Sequence, residues 1–301
     1  MQEPVPTRYV IETRDLTKYY GKNRGIIDVN LQVGEGEIFG FIGPNGAGKS
    51  TTIRILLNFI FPTRGTAKVL GMDVLRESRK IKRQVGYLPG EVDYYEEMTV
   101  GELLEYTTRF YETDCRRRTE ELLETFELDT RRKIHALSLG TKRKLGIILA
   151  LLHKPRLLIL DEPTGGLDPL MQKRFFDVLR EEQKQGTAIF FSSHILSEVQ
   201  KRCHRVAIIK EGRILKIEEI EKLRGNQFRN VRISFKNGNI PDIDLPGIIH
   251  REKENGTLRL FFNGDINELL RVLTHHELAG LWLEEPTLEE VFMHYYEKDE
   301  S

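Results

Sequence analysis

The sequence predicts an α/β domain built around a mostly parallel β-sheet, followed by a small α+β domain. Apolar runs such as Leu157 to Leu160 and Thr187 to Ser192 alternate with segments of helical spacing. Buried parallel strands have such continuous apolar runs, and their alternation with helices is typical of an α/β sheet. The pattern changes near Leu223, where segments with alternating apolar and polar residues begin.

Each element of the second domain has its own local signal. Val231 to Phe235 alternates as a half-buried strand does, and Asn255-Gly256 separates two further strand-like runs, which is typical of a hairpin. Asp265 and Thr287 are good caps for the helices that follow them. The remaining predicted elements are a strand over Leu281 to Leu283 and helices over Ile266 to Leu273 and Thr287 to Tyr296.

Two strands with a turn at Gly21 to Gly25 are expected in the first segment, and one helical insertion over Thr99 to Phe126. The apolar stretch Leu145 to Leu152 predicts a buried helix, since it is far shorter than the roughly 18 apolar residues of a membrane span. Any role at a membrane therefore requires a partner protein.

The balance of charged residues argues against a nucleic-acid-binding function. Of the 301 residues, 46 are Lys or Arg and 46 are Asp or Glu, so the formal net charge is zero. Nucleic-acid binding proteins usually carry a basic excess, and we expect no nucleic-acid partner. The two cysteines, Cys115 and Cys203, form no disulfide framework and no metal-binding spacing.

Gly43 to Ser50 matches the phosphate-loop pattern G-x-x-x-x-G-K-[ST] between a predicted strand, Glu37 to Ile42, and a predicted helix, Ser50 to Asn58. The glycines let backbone N–H groups face a phosphate, and the helix N-terminus favours an anion. Lys49 then reaches the β- and γ-phosphates, and Ser50 ligates Mg²⁺. The predicted nucleotide-binding residues here are Gly43, Pro44, Asn45, Gly46, Ala47, Gly48, Lys49, Ser50 and Thr51. A glycine-rich turn without a ligand is the structural alternative.

A second motif is the apolar strand that ends in Asp161 and Glu162. Ligands of such sheets collect at the carboxyl ends of the strands. Adjacent strand residues point to different faces, so Asp161 can hold Mg²⁺ through water while Glu162 orients or deprotonates the attacking water. A solvated strand end is the alternative interpretation.

Further motifs follow in a fixed order: Leu137 to Gly146 precedes the two acids, and Pro163 to Pro169 and Ser192-Ser-His194 come after them. From Tyr9 to Glu219 this order resembles the ATP-binding subunits of ABC transporters. The resemblance implies a phosphate-loop ATPase of the ABC type over residues 1–222, with an antiparallel β subdomain and a helical subdomain at about 92–152. Residues 223–301 are then an accessory domain, whose segment Glu285 to Phe292 resembles the tail of ATPases that serve ABC-2-type exporters.

By this resemblance, Tyr20 stacks on adenine and Tyr19 faces the other side of the strand. Asp161 is the Walker B acid, Glu162 the general base, Asp168 the D-loop acid between two subunits, and His194 the switch histidine on the γ-phosphate. An ordinary strand tyrosine and a structural histidine are the alternatives for Tyr20 and His194.

The resemblance also implies that Ser138 and Gly140, the signature residues, close over the nucleotide of a second ATP-binding subunit. That subunit is a second copy or a close homologue. The expected cofactors are ATP and Mg²⁺, and the other partner is an integral membrane permease that holds the chain at the cytoplasmic face of the membrane.

Two departures from the family pattern affect these roles. Leu139 and Thr141 replace a glycine and a glutamine of the signature, and Gly90, followed by Glu91, replaces the Q-loop glutamine. Either Glu91 substitutes as a Mg²⁺ ligand, or the metal depends on Ser50 and water alone. We expect Gly90 to give the loop freedom in φ, and exposed tyrosines in Val92 to Tyr95 to contact the permease; an ordinary surface loop is the alternative.

The motifs favour an ATPase that drives an ABC exporter. A soluble ABC ATPase acting on ribosomes or DNA usually has two cassettes or a long coiled coil, whereas this chain has one phosphate loop and no extended heptads. An ATP-binding regulator with weak turnover is the other alternative, and the presence of Glu162 and His194 argues against it.

Overall fold

The computed structural model describes residues 9–224, 228–236, 238, 240–254, 256–284 and 286, without the side chains of residues 196, 197, 223 and 224. The predicted helix over Thr287 to Tyr296 lies outside the described residues, as does nearly all of the tail motif. The strands are β1 Tyr9–Tyr20, β2 Asn23–Val29, β3 Gln32–Gly34, β4 Ile38–Ile42, β5 Arg64–Val69, β6 Met72–Asp73, β7 Val85–Leu88, β8 Leu157–Asp161, β9 Ala188–Ser193, β10 Arg205–Lys210, β11 Arg213–Glu219, β12 Arg229–Phe235, β13 Ile248–Glu254, β14 Thr257–Phe262 and β15 Leu278–Glu284. The helices are α1 Lys49–Leu56, α2 Ser78–Lys82, α3 Val100–Thr108, α4 Arg116–Phe126, α5 Leu139–Leu151, α6 Pro169–Lys184, α7 Leu196–Arg202, α8 Ile220–Arg224 and α9 Ile266–Leu273.

The chain divides into two compact units, Met1–Ile217 and Glu218–Ser301. The first contains a six-stranded sheet in the order β11-β10-β4-β9-β8-β7, in which β10, β4, β9, β8 and β7 are parallel. A second sheet, in the order β2-β1-β5-β6 with β3 also paired to β1, is antiparallel. The predicted mostly parallel sheet is therefore confirmed, and the same unit also contains an antiparallel sheet.

Apolar packing fixes the ends of the phosphate loop. All residues of β8 and β9 are buried, as their apolar sequences predict. Phe39 on β4 stacks on Phe190 of β9 with ring centroids 6.0 Å apart, and Ile53 and Leu56 of α1 belong to the same buried cluster. The loop therefore connects a strand and a helix that the core holds in place.

The predicted helical stretch Thr99 to Phe126 is two helices, α3 and α4. A capping box of Thr99 and Glu102 begins α3, and α4 ends at Glu127, whose φ of 53° is left-handed. The start of α4 has a local signal, because the Asp114 carboxylate accepts a hydrogen bond from the N–H of Arg116, the first residue of that helix.

The second unit is a four-stranded antiparallel sheet in the order β13-β14-β12-β15, with α9 packed on it. The predicted hairpin is confirmed by the pairing of β13 with β14, and the positive φ of Gly256, 74°, is the conformation that its turn requires. Asp265 caps α9 by accepting from the N–H of Asn267 at 2.8 Å, as predicted. The last strand, β15, is longer than the predicted Leu281 to Leu283.

Candidate ATP-binding and hydrolysis site

The phosphate loop requires glycine at two positions for two different reasons. A Cβ on Gly43 would lie 2.2 Å from the carbonyl oxygen of Ile209, so no side chain fits there. Gly48 has φ 111°, and its Cβ would lie 2.6 Å from Cγ2 of Ile26. The loop backbone therefore lies tightly against β10 and β2 before α1 begins at Lys49.

Lys49 is held between the loop and the carboxylate of Glu162. Its side chain is 6% exposed, and its Nζ donates to the carbonyl oxygens of Gly43 at 2.6 Å and Pro44 at 3.2 Å. The same Nζ lies 3.3 Å from Oε1 of Glu162. A cation in this position can balance the charge of a terminal phosphate directly beside the acid.

The two acids at the end of β8 have different surroundings. Asp161 is buried, and its Oδ1 accepts a hydrogen bond from Oγ of Ser192 on β9 at 2.5 Å. Glu162 has a left-handed φ of 47°, a conformation that costs roughly 1–3 kcal/mol for a residue other than glycine. Its N–H donates to the backbone oxygen and to Oγ of Ser192, each at 3.2 Å, which helps to hold that conformation.

His194 completes the cluster around Glu162. Its Nδ1 lies 2.7 Å from Oε2 of Glu162, while Lys49 approaches Oε1. The structure thus brings together three residues that the sequence singled out separately. A carboxylate in this place can accept a proton from water, and two nitrogen groups beside it can contact phosphate oxygens.

Two oxygen donors among the predicted site residues fit magnesium. The Asp161 carboxylate and the hydroxyl of Ser50 are hard oxygen ligands, and Mg²⁺ usually keeps several waters and phosphate oxygens besides one or two protein ligands. Within the described part of the chain, no group of three or more His, Cys, Asp or Glu side chains could hold a metal ion. Because Mg²⁺ takes most of its ligands from water and phosphate, these two donors suit a site that nucleotide and water complete.

Ser192 is a residue of the site whose role was not predicted. In the sequence it stands only as the first residue of the motif Ser192-Ser-His194. The strand register brings Ser192 into the site, because it pairs directly with Asp161 across the parallel strands β9 and β8. A hydroxyl at the end of the neighbouring strand is well placed to orient the carboxylate.

The Q-loop position faces Asp161. A Cβ on Gly90 would lie 3.6 Å from Oδ2 of Asp161, which is ordinary van der Waals contact. Gly90 is not among the residues with positive φ, so its conformation in this structure does not itself require glycine. The expectation that Gly90 gives the loop freedom in φ stays a prediction. Glu91 is exposed, and its side chain has no hydrogen bond or ion pair with any described residue, so its proposed contact with Mg²⁺ stays a prediction.

The two tyrosines after Glu91 differ, although both were expected to be exposed. Tyr95 is 63% exposed, but Tyr94 packs against α5, where its hydroxyl donates to the carbonyl oxygen of Lys142 at 3.4 Å. A Cβ on Gly146 would lie 2.6 Å from that hydroxyl oxygen, so this glycine makes room for the ring. Burial raises the pKa of Tyr94, and only Tyr95 remains as a surface residue of this pair.

Tyr20 lies beside the start of α1. A Cβ on Gly25 would lie 3.0 Å from Cε2 of Tyr20 and 3.3 Å from Cγ2 of Thr51, so the ring edge and Thr51 are close neighbours. Tyr20 is 44% exposed and Tyr19 is 40% exposed. A half-exposed ring next to the phosphate loop is suitable for stacking on a flat ligand.

Ser138, Gly140 and Asp168 lie at helix N-termini. Ser138 caps α5 by accepting from the N–H of Thr141 at 3.3 Å, so the helix begins several residues before the apolar stretch that starts at Leu145. A Cβ on Gly140 would lie 2.6 Å from the carbonyl oxygen of Gly166, which explains the glycine by close approach within the chain. Asp168 caps α6 by accepting from the N–H of Met171 at 2.9 Å.

Comparison with known proteins finds relatives that are ATP-binding subunits of ABC transporters. The model of the family described as ABC transporter matches residues 26–165. The bacitracin transport ATP-binding protein BcrA of Bacillus licheniformis is 35% identical over 297 residues, covering 94% of this chain and 96% of that protein. BcrA of Enterococcus faecalis is 32% identical over 277 residues, covering 90% of each chain. A solved structure of an ATP binding subunit of an ABC transporter superposes with a TM-score of 0.69 at 32% identity, covering 71% of this chain and 92% of that one.

This chain therefore belongs to the ABC transporter family, as one of its ATP-binding subunits. It binds and hydrolyses ATP to power transport, as subunits of this class do together with membrane permeases. The predictions of an ABC-type ATPase fold, of ATPase activity and of a subunit that serves an exporter are confirmed, and the soluble alternative is not favoured. No helix in the described part of the chain is long and apolar enough to cross a membrane.

Proposed function

We propose that this chain pairs with a second ATP-binding subunit and that closure of the pair over ATP drives a membrane permease that exports an antibiotic-like molecule. The observation that carries the hydrolytic part is the position of the Glu162 carboxylate between Lys49 and His194. The named transport role of the BcrA relatives supports the choice of cargo, and bacitracin is the first molecule to test.

In this proposal Glu162 is the general base. Its carboxylate takes a proton from the attacking water, and Lys49 offsets the charge on the terminal phosphates. His194 holds Oε2 of Glu162 and can contact a phosphate oxygen through its other ring nitrogen. Ser50 and Asp161 would hold Mg²⁺, which when bound neutralises charge on the phosphate oxygens.

Closure of the pair involves the exposed N-terminus of α5. Ser138 is exposed, and Leu139 beside it is 68% exposed. A hydroxyl and free N–H groups at a helix N-terminus suit a phosphate, here the phosphate of the nucleotide held by the second subunit. Asp168 begins the next helix in the chain and would contact the partner subunit close by.

The surface that would face the permease is aromatic. Tyr95, Tyr106 and Phe110 form a row, called the aromatic row below, with ring centroids 6.1 Å apart for the first pair and 5.2 Å for the second. All three are among the exposed large apolar side chains. Exposed aromatic groups are typical of interfaces, and docking here would hold the chain at the cytoplasmic face of the membrane.

The test begins with Glu162→Gln in the purified subunit. ATP affinity should remain, measured by calorimetry, while turnover should fall by about 10²–10⁴, the range expected on loss of a general base. Glu112→Gln, which changes an exposed acid paired with Arg83, is the matched control and should keep full activity. Undiminished turnover of Glu162→Gln would rule out Glu162 as the base.

The same variant tests closure. With ATP, Glu162→Gln should form a pair that light scattering detects, because the nucleotide persists at the interface. Adding Ser138→Arg should prevent pairing and leave ATP bound, since a bulky cation would fill the place intended for the partner's phosphate. A pair that forms equally well with Ser138→Arg would contradict the trans arrangement.

A further inference from the structure

Arg143, on the second turn of α5, is a fully enclosed cation that the sequence did not single out. It is 2% exposed. Its five N–H donors have five backbone carbonyl partners: Nε donates to Pro163 at 3.1 Å, one terminal nitrogen to Pro89 at 2.5 Å and Gly90 at 2.9 Å, and the other to Asp161 at 3.1 Å and to Glu162. The complete donor set of a guanidinium is thus used on main-chain oxygens.

The five oxygens come from two segments of the site. Pro89 and Gly90 follow β7 and form the Q-loop position that faces Asp161, whereas residues 161–163 are the end of β8 and the turn beyond it. Arg143 therefore joins α5 to both segments at once. No carboxylate lies within ion-pair distance of Arg143 in the described part of the chain. Arg143 interacts with backbone oxygens, so these hydrogen bonds fix the path of the main chain in both segments.

Among the residues whose carbonyls Arg143 contacts, Glu162 is the one with a strained backbone. Its φ of 47° is left-handed, and it is followed by Pro163, whose carbonyl also accepts from Arg143. In this backbone conformation the carboxylate lies between Lys49 and His194. Ser192 holds the N–H side of Glu162, and Arg143 holds its carbonyl side.

We propose that Arg143 is a positioning residue for ATP hydrolysis: it fixes the backbone of Glu162 and Gly90 against α5, the helix that begins at Ser138. The inference rests on the proposed role of Glu162 as general base. Helix α5 then has a second role besides carrying the signature residues. If α5 shifts when Ser138 contacts a partner's nucleotide, the carbonyl of Glu162 moves with it. The geometry of the base would then depend on closure of the pair.

Two substitutions separate this role from simple stability. Arg143→Gln removes most of the five donors, and Arg143→Lys keeps the charge but has three donors and no planar fork. Both should lower kcat by about 10²-fold, the effect expected when a catalytic group is displaced by about an ångström. The Kd for ATP should stay within about threefold, because Lys49 and the phosphate loop are not touched.

Arg174→Gln is the matched control. Arg174 also joins two helices through a backbone carbonyl and an acid, Thr125 at 3.1 Å and Glu127 at 2.6 Å, but it does not contact the site. It should lower the melting temperature and leave kcat unchanged. Equal kcat values in Arg143→Lys, Arg143→Gln and Arg174→Gln would overturn the proposal, as would unfolding of both Arg143 variants, since Arg143 would then serve the fold alone.

A double variant tests whether Arg143 acts through Glu162. In the Glu162→Gln background, adding Arg143→Gln should change the remaining rate by no more than about threefold, because residues that act as a unit are not additive. A further loss as large as that in the wild type would contradict the inference. If instead Glu162→Gln alone retains turnover, the proposed general base is wrong, and that failure is distinct from a failure of Arg143.

Discussion

At the scale of single residues, the chemistry of this site depends on backbone conformations that residue types do not specify. Glu162 reaches Lys49 and His194 from a left-handed φ of 47°, and the carboxylate of Asp161 is fixed by Ser192 from another strand. Gly90 shows the opposite case, since its φ is not positive and its surroundings leave space for a side chain. The glycine at this position is therefore not required by the fold.

Gly90→Gln should fold normally and bind metal more readily. A Cβ at this position would lie 3.6 Å from Oδ2 of Asp161, so a glutamine amide can reach the oxygen ligands there. We expect the Mg²⁺ concentration that gives half-maximal ATPase activity to fall by about threefold or more, as one added oxygen ligand favours a hard cation. A titration of ATPase activity with Mg²⁺ measures it.

Glu91→Ala serves as the comparison in the same titration. If Glu91 ligates the metal, its loss should raise the Mg²⁺ requirement in the parent protein and matter less in the Gly90→Gln background. An unchanged midpoint in Gly90→Gln would show that position 90 does not reach the metal, and an unchanged midpoint in Glu91→Ala would remove Glu91 from the site.

At the scale of elements, the region that follows α5 contains a buried histidine with a consequence for pH. His153 is 7% exposed and stacks on Tyr111 with ring centroids 3.9 Å apart. Burial lowers the pKa of His153 to about 4. The folded state therefore keeps this imidazole neutral at a pH where the unfolded chain, with a pKa near 6.5, is already protonated.

The free energy of unfolding should fall as the pH is lowered through this window. The unfolded state gains a proton below about pH 6.5, and the folded state gains it only near pH 4, so stability is full above pH 6.5 and decreases towards pH 4. The loss from this group is at most about 3–4 kcal/mol, because the two pKa values differ by about 2.5 units and each unit corresponds to 1.36 kcal/mol. Urea unfolding at pH 7 and pH 4.5 measures it.

His153→Phe should weaken that pH dependence, because a phenyl ring can still stack on Tyr111 and cannot be protonated. His250→Gln, which changes an exposed histidine on β13, is the control and should leave the pH dependence as it is. The same slope in His153→Phe as in the parent protein would contradict the assignment to His153.

At the scale of the whole molecule, the subunit must pass the effect of ATP binding to a permease. The aromatic row begins at Tyr95, between the Q-loop and α3, and continues with Tyr106 on α3 and Phe110 just after it. Tyr95, its most exposed member at 63%, follows Gly90 and Glu91 closely in sequence. A movement of the Q-loop would therefore be transmitted to Tyr95 through a short segment of the chain.

Tyr95→Ala should uncouple transport from hydrolysis. The isolated subunit should keep its ATPase rate, since Tyr95 is exposed and outside the site, while export in a reconstituted complex with the permease should fall by about tenfold, a loss of some 1.4 kcal/mol at an interface residue. Trp282→Ala changes an exposed aromatic residue of the second unit and is the control. Full transport activity of Tyr95→Ala would exclude the aromatic row as the docking site.

Several site residues could be predicted because their signals are local. The spacing of Gly43, Gly48 and Lys49 identifies a phosphate loop, and the structure gives the physical reason, since side chains at the two glycines would collide with β10 and β2. The apolar strand before Asp161 likewise places the acid at the carboxyl end of a parallel sheet. In the second unit, the Asn255-Gly256 hairpin signal was sufficient to predict β13 and β14, and the cap residue Asp265 was sufficient to predict the start of α9.

By itself, the sequence determined the ABC-type α/β fold, the ATPase chemistry and the residue types that serve it. Only the tertiary structure decided that Tyr94 packs against Gly146, that Ser192 holds Asp161 and that Arg143 binds the carbonyls around Glu162. The contacts of Arg143 and Ser192 join segments separated by 18 to 54 residues. Their geometry follows from strand register and helix packing, which no local pattern of residues encodes.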